Sequence, residues 1–228
     1  DEKKKVGMGD LEYASDKIRM GAERKSAQIS PENLKLTAYH EGGHALVALK
    51  TEAAMPIHKA TIVPRGDTLG MVAYLPEKDQ MNLSKDQMLA HLDICMGGRV
   101  AEELIFGAEN VTTGASGDFQ QVSRTARMMI EQMGFSDKIG QIALKSGGGQ
   151  TFLGNDAGRG ADYSQTTADI VDSEVQALVE VAYRRAKDLV QENIQCLHDV
   201  AEVLLDKENI DGDEFEQIML KAKAKKMW

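Results

Sequence analysis

The sequence predicts a mainly α fold with one small β-hairpin whose edge strand lies next to a central helix. Apolar residues recur at spacings of three and four through most of the chain, only two short runs favour strand, and one largely apolar helix carries two histidines four positions apart. A chain of 228 residues, 42% hydrophobic, can bury a substantial core. Its net charge of −9 argues against nucleic acid as a partner, because phosphate binding needs a basic stripe. The dense basic runs, Lys3 to Lys5 and Lys221 to Lys226, stand at the two ends and read as solvated tails. Cys95 and Cys196 lie far apart with no CxxC partner, which supports neither a disulfide framework nor a cysteine metal site and suits a reducing compartment. No apolar run approaches the roughly 20 residues that span a bilayer, so the piece is expected to be soluble. It starts at Asp1 without a Met and enters helical pattern at once, as a fragment of a longer protein would.

From the N-terminus, Asp10 to Met20 carries Leu11, Tyr13, Ala14 and Ile18 at helical positions and stops before Gly21. Residues 22 to 33 have the composition of a connector. Leu34 to Thr51 is the next helix. Ile57 to Val63 and Leu69 to Leu75 are β-favouring runs joined by Pro64-Arg65-Gly66-Asp67-Thr68, a hairpin bridge. Ser84 to Phe106 is helix again: Ser84 and Gln87 fit a capping box, and Leu89, Leu92, Met96, Val100 and Leu104 form its apolar stripe. Gly97-Gly98 predicts a kink or break there, with close backbone packing. Thr112 to Gly117 reads as a loop leading to Asp118 near an N-cap, and Phe119 to Met133 as helix. Residues 146 to 165 hold many glycines and few large apolar groups, a composition that predicts mobility. Three more helices are expected at about 166 to 194, 196 to 206 and 211 to 222.

The chemistry concentrates at His40-Glu41-Gly42-Gly43-His44. Two imidazoles at i and i+4 share one helix face and can hold one Zn²⁺, and the intervening glutamate leans toward the open coordination position as a general base. Two free positions let HExxH arise by chance, as ordinary helix residues. Here, however, Leu36, Ala38, Ala45, Leu46, Val47 and Leu49 flank it, and unsatisfied imidazoles in such a buried helix are costly. The adjacent glycines cost about 1 kcal/mol each relative to Ala, which points to a close backbone approach. A third ligand is required. The longer HExxHxxGxxH spacing fails at Val47 and Lys50, so a carboxylate is expected. Glu102 or Glu103 in GRVAEE and Asp118 after the glycine-rich loop both qualify, and spacing does not choose. A carboxylate left out of the coordination set could orient a ligating imidazole through its other nitrogen. His58 and His91 lack ligand-like spacing and read as surface or hairpin-packing residues, and Cys95 as a small core residue. The strand from Leu69, through Gly70, Met71, Val72 and Ala73, could bind extended substrate by main-chain hydrogen bonds or merely pack.

The motifs AYHEGGHALVA, PIHKATIVPRG, LGMVAYLPE, MGGRVAEELIFG and TTGASGDFQQ, in this order, resemble the peptidase domain of the FtsH family of membrane-bound, ATP-dependent zinc proteases. The resemblance covers about residues 10 to 220. It implies a helical zinc-peptidase domain, one Zn²⁺ per chain held by His40, His44 and Asp118, and Glu41 as the base. It further implies unfolded or membrane proteins as substrates, a role in quality control, a homo- or hetero-hexameric ring, and a membrane reached only through segments N-terminal to this chain. Residues 1 to 30 would then be the end of a preceding ATPase domain plus connector, 31 to 222 the peptidase domain and 223 to 228 a basic tail. No G-x-x-x-x-G-K motif occurs, so ATP would act only in the full-length protein. The first half looks closest to mitochondrial i-AAA proteases and the second to chloroplast thylakoid members, implying a eukaryotic organelle membrane. The rival readings are a catalytically silent ring subunit, which would lack one of these residues, and a structural zinc domain, which would need a fourth protein ligand.

Overall fold

A computed structural model describes residues 5–24, 26–66, 68–75, 81–144 and 163–225. The helices are α1 (Met8–Met20), α2 (Pro31–Lys50), α3 (Lys85–Phe106), α4 (Ser116–Glu131), α5 (Gln165–Glu192), α6 (Ile194–Lys207) and α7 (Gly212–Lys225). The strands are β1 (Ile57–Thr61), β2 (Met71–Tyr74) and β3 (Asn209–Asp211). The glycine-rich stretch from 146 to 165 lies almost wholly outside the described residues. So does the end of the basic tail, whose first part instead continues α7 to Lys225.

Capping fixes where the two site-forming helices begin. Ser30 accepts from the Asn33 amide at 3.2 Å with Pro31 opening α2, and Ser84 and Gln87 form the reciprocal capping box of α3. The core gathers around α2 and α3. Leu46 and Val47 from α2, Leu92 and Val100 from α3, Val122 from α4, and Leu197 and Leu204 from α6 are fully buried in one cluster. The Gly97-Gly98 pair does not break α3, which runs from Lys85 to Phe106. The close approach is realised: a Cβ on Gly43 would sit 2.3 Å from the Gly97 carbonyl oxygen, and one on Gly97 2.6 Å from that of Gly43. Glycine at both positions lets α2 and α3 touch backbone to backbone.

The hairpin is antiparallel, with Ala60 opposite Val72 and an irregularity between Ile57 and Lys59. A third strand, β3, joins it to give the order β2-β1-β3. Three residues between two helices carry too little alternation to be read from sequence as strand. Among the described residues β2 is therefore an edge, as expected, and it lies against α2. Polar contacts tie α1 and the connector to this sheet. Asp16 pairs with Lys59, Arg65 Nη2 donates to Glu23 Oε1 at 2.8 Å, and Arg24 Nη1 donates to the Gly66 carbonyl at 2.7 Å.

Candidate metal centre

His40 and His44 occupy one face of α2, and both are buried. His40 Nδ1 lies 2.7 Å from Glu102 Oε1, and His44 Nδ1 lies 2.7 Å from the Ile94 carbonyl oxygen. A carboxylate and a carbonyl can only accept, so each imidazole donates from Nδ1 and turns its Nε2 lone pair inward. The two Nε2 atoms are 3.1 Å apart. Asp118 Oδ2 stands 3.2 Å from that of His40 and 3.5 Å from that of His44. An ion held tetrahedrally at about 2.0–2.1 Å needs donor atoms roughly 3.3 Å apart, so the three edges of this triangle fit Zn²⁺. The cluster holds His40, His44 and Asp118 and no fourth His, Cys, Asp or Glu among the described residues, which leaves one position open. That is the donor set of a hydrolytic site, and it gives no support to a structural zinc domain.

Asp118 is the third residue of α4, not its cap. Ala115 holds the N-cap position and makes no side-chain bond there. The helix instead aims Asp118 across at α2. The loop before it is fastened by Glu102, whose Oε2 accepts from the Thr112 amide at 2.8 Å and from the Thr112 hydroxyl at 3.1 Å. Arg99 Nη2 in turn donates to the Thr112 carbonyl at 2.8 Å. Glu102 is 0% exposed and thus supports a histidine with one oxygen and the aspartate's loop with the other. Glu103 faces elsewhere, accepting from Tyr183 and pairing with Lys187 of α5 at 3.7 Å.

Charge follows from this crowding. Burial opposes protonation of His40, but hydrogen bonds to Asp118 and Glu102 and the nearby Glu41 charge outweigh it, raising its pKa to about 10 in the metal-free protein. Burial favours the neutral acid at Asp118, yet its bonds to both histidines hold it well below the usual carboxylate range. Burial raises Glu41 beyond what His44 and His40 pull back, with Asp118 adding to the rise, a direction that suits a proton acceptor working near neutrality.

The site opens into a cleft of about 810 Å³, enough for a stretch of extended peptide, bordered by Leu69, Gly70, Met71, Val72 and Tyr74 of the hairpin. Ala73 does not border it. A Cβ on Gly70 would lie 2.7 Å from Glu41 Oε1, so the chain entering β2 passes directly over the glutamate. Gly98 does the same from below, where a Cβ would lie 2.5 Å from His40 Nε2 and 2.6 Å from His44 Nε2. The glycine doublet signalled close packing in the sequence, but not that its second member is the floor of the site. His91, read from sequence as a surface or packing residue, lines the cleft together with Gln121. His58 pairs with Asp16 at 3.6 Å, away from it. Cys95 is buried and borders the cleft, and burial, with Asp118, pushes its thiol up to about 12.

The sequence profile of peptidase family M41 matches residues 27–218. This chain belongs to peptidase family M41. It is 44% identical over 98% of its length to an ATP-dependent zinc metalloprotease FTSH, chloroplastic, of Nicotiana tabacum, covering 32% of that protein. It is 47% identical over 94% of its length to ATP-dependent zinc metalloprotease FtsH of Caulobacter vibrioides, covering 34% of it. The Rickettsia bellii FtsH is 44% identical over 95% of the chain, again with 34% covered. The chain thus spans about a third of the length of the curated relatives it matches. No helix among the described residues is long and apolar enough to cross a membrane.

Proposed function

We propose that this M41 chain is the zinc endopeptidase unit of an FtsH-type, ATP-dependent membrane protease, with His40, His44 and Asp118 as ligands and Glu41 as general base. The near-tetrahedral spacing of the three donor atoms beside a buried glutamate carries this reading. Zn²⁺ held by His40, His44 and Asp118 would supply a water whose pKa is lowered toward about 7 and a Lewis acid for the peptide carbonyl. Glu41 takes the proton of the attacking water and returns it to the leaving amine. Glu102 and the Ile94 carbonyl keep both imidazoles in the tautomer the ion needs. The free edge of β2, from Leu69 to Ala73, holds substrate as an added strand, through its own N–H and C=O groups. Main-chain pairing suits loose polypeptide, so unfolded or membrane proteins are the proposed substrates and quality control the proposed role.

Residues 1 to 30 are assigned to the end of an upstream ATPase unit and its connector, 31 to 222 to the peptidase, and 223 to 228 to a tail. Exposed Leu11, Tyr13 and Ile18 on α1 suit a surface facing that unit. A hexameric ring, ATP use by the whole protein and a eukaryotic organelle membrane, thylakoid or mitochondrial inner, complete the proposal. The chloroplastic names of several relatives support the last, and fractionation of source cells tests it. The central experiment is casein digestion by zinc-loaded protein: Glu41→Gln is expected to keep one zinc per chain and lose cleavage by at least about a hundredfold, as removal of a general base does. Undiminished cleavage by Glu41→Gln would refute the assignment.

A further inference from the structure

His91 and Gln121 face the cleft but take no part in the metal site or in the mechanism above. His91 is on α3, four residues before Cys95, and is half-buried. Gln121 is on α4, three residues after Asp118. Gln121 Nε2 lies 2.8 Å from His91 Nε2, and Cys95 Sγ 3.8 Å from the same nitrogen. An amide N–H can only donate, so His91 Nε2 accepts and the imidazole carries its proton on Nδ1.

We propose that His91 and Gln121 form a side-chain subsite selecting an uncharged, hydrogen-bonding residue, Ser, Thr, Asn or Gln, next to the scissile peptide bond. The inference rests on the endopeptidase reading and adds a selectivity to it. Position supports it first. Gln121 is one turn along α4 from Asp118, about 4.5 Å of axial rise, and extended peptide advances about 3.3 Å per residue, so the pair lies within reach of a side chain flanking the bond cut.

Chemistry supports it second. The pair offers an imidazole, a carboxamide oxygen and a carboxamide N–H, with the thiol of Cys95 behind them. No carboxylate or ammonium contacts His91 among the described residues, and burial alone shifts the imidazole, downward, toward its neutral form. Gln121 is exposed and His91 half-buried, so a charged substrate side chain would lose part of its water against the imidazole without gaining a counter-ion. An aliphatic one would leave polar atoms of the pair without partners, the situation in which hydrogen-bonding pockets discriminate most strongly. Tyr74 lines the same cleft from the hairpin side and is likewise uncharged and polar.

The test is a peptide library randomised at the two positions flanking one cleavable bond and digested by zinc-loaded wild type, His91→Leu and Gln121→Leu. Wild type is expected to favour Ser, Thr, Asn and Gln over Val and Leu at one of the two positions by about fivefold in kcat/KM, the worth of one hydrogen bond. Both variants should lose that preference, His91→Leu turning it toward apolar residues, and His91→Gln should restore part of it. If the pair merely clips α3 to α4, the variants melt earlier with unchanged profiles, and the proposal is overturned. A wild-type preference for charged residues at that position overturns it too. Binding of fluorescent peptides to the Glu41→Gln protein reads the same preference without catalysis. Failure of cleavage in wild type would therefore count against the endopeptidase reading, whereas equal binding of Asn- and Leu-containing peptides would count against the subsite.

Discussion

Glu102 and the Ile94 carbonyl decide which nitrogen each histidine offers, and so whether α2 presents a metal site or two unrelated imidazoles. Substitutions at three carboxylates separate coordination from orientation. Asp118→Asn replaces an anionic oxygen by a neutral carboxamide in a three-ligand site, so zinc content after dialysis should fall well below one per chain and peptide cleavage with it. Glu102→Gln keeps an oxygen able to accept from His40 but loses its charge. Zinc should remain stoichiometric when supplied in excess, with affinity weaker by about tenfold, the lower end for groups that orient a ligand. Glu103→Gln, engaged with Tyr183 and Lys187, should leave affinity at the wild-type value. Metal titration of the three proteins checks the order, and full zinc occupancy in Asp118→Asn would remove it from the ligand set.

Helix packing assigns opposite tolerances to the two glycines inside the motif. A Cβ at Gly42 meets the flexible end of Leu197 at 3.1 Å and Val200 at 3.4 Å, contacts that yield by a few tenths of an ångström, and alanine gains about 1 kcal/mol of helix propensity. Gly42→Ala should thus melt within a few degrees of wild type. At Gly43 the added carbon would meet Gly97 backbone at 2.3 Å, so α2 and α3 would have to separate. Gly43→Ala should lose about 2–3 kcal/mol or more in urea unfolding, as overpacked cores do. Between α3 and α5, burial pushes Asp93 up to about 6 against the pull of Arg185, whose Nη2 lies 2.8 Å away. A carboxyl raised from 3.8 to about 6 on folding binds its proton more tightly in the native state. Its ionised form therefore costs stability above pH 6, and that cost is relieved as pH falls toward 4. Asp93→Asn should gain over wild type above pH 6 and lose the gain below pH 4 in thermal melts. The helices and the hairpin were legible in sequence because caps such as Ser84 with Gln87, and β-favouring runs on either side of a turn-rich bridge, are local. β3 was not, being a strand only by virtue of its partner β1. The HExxH half of the site was equally plain, but the choice of Asp118 over Glu102 and Glu103 came from resemblance, since it depends on how α3 and α4 cross α2. The place of His91 in the cleft wall was not legible for the same reason: its partner Gln121 is 30 residues away, on another helix.

At the scale of the whole molecule, an ion in the proposed site would tie three helices together. His40 and His44 come from α2 and Asp118 from α4, while α3 supplies Glu102, the Ile94 carbonyl and the Gly98 floor. Unfolding scatters all of these, so an ion bound only by the folded chain stabilises it by mass action. At a hundredfold excess over its dissociation constant that amounts to about 2.7 kcal/mol. A domain of this size shifts by about 2–4 °C per kcal/mol, so stripping the ion with a chelator should lower Tm by roughly 5–10 °C, recovered on adding Zn²⁺ back. The shift discriminates among roles as well as detecting binding. Glu41→Gln, altered beside the ligands rather than in them, should show the full shift although it no longer cleaves peptide. Asp118→Asn should show a much reduced one, because a neutral carboxamide oxygen is a far weaker ligand than the carboxylate it replaces, and only three protein ligands share the ion. Identical melting of wild type with chelator and with zinc would mean that the folded chain holds no ion, and the ligand triangle would then be a hydrogen-bonded cluster only.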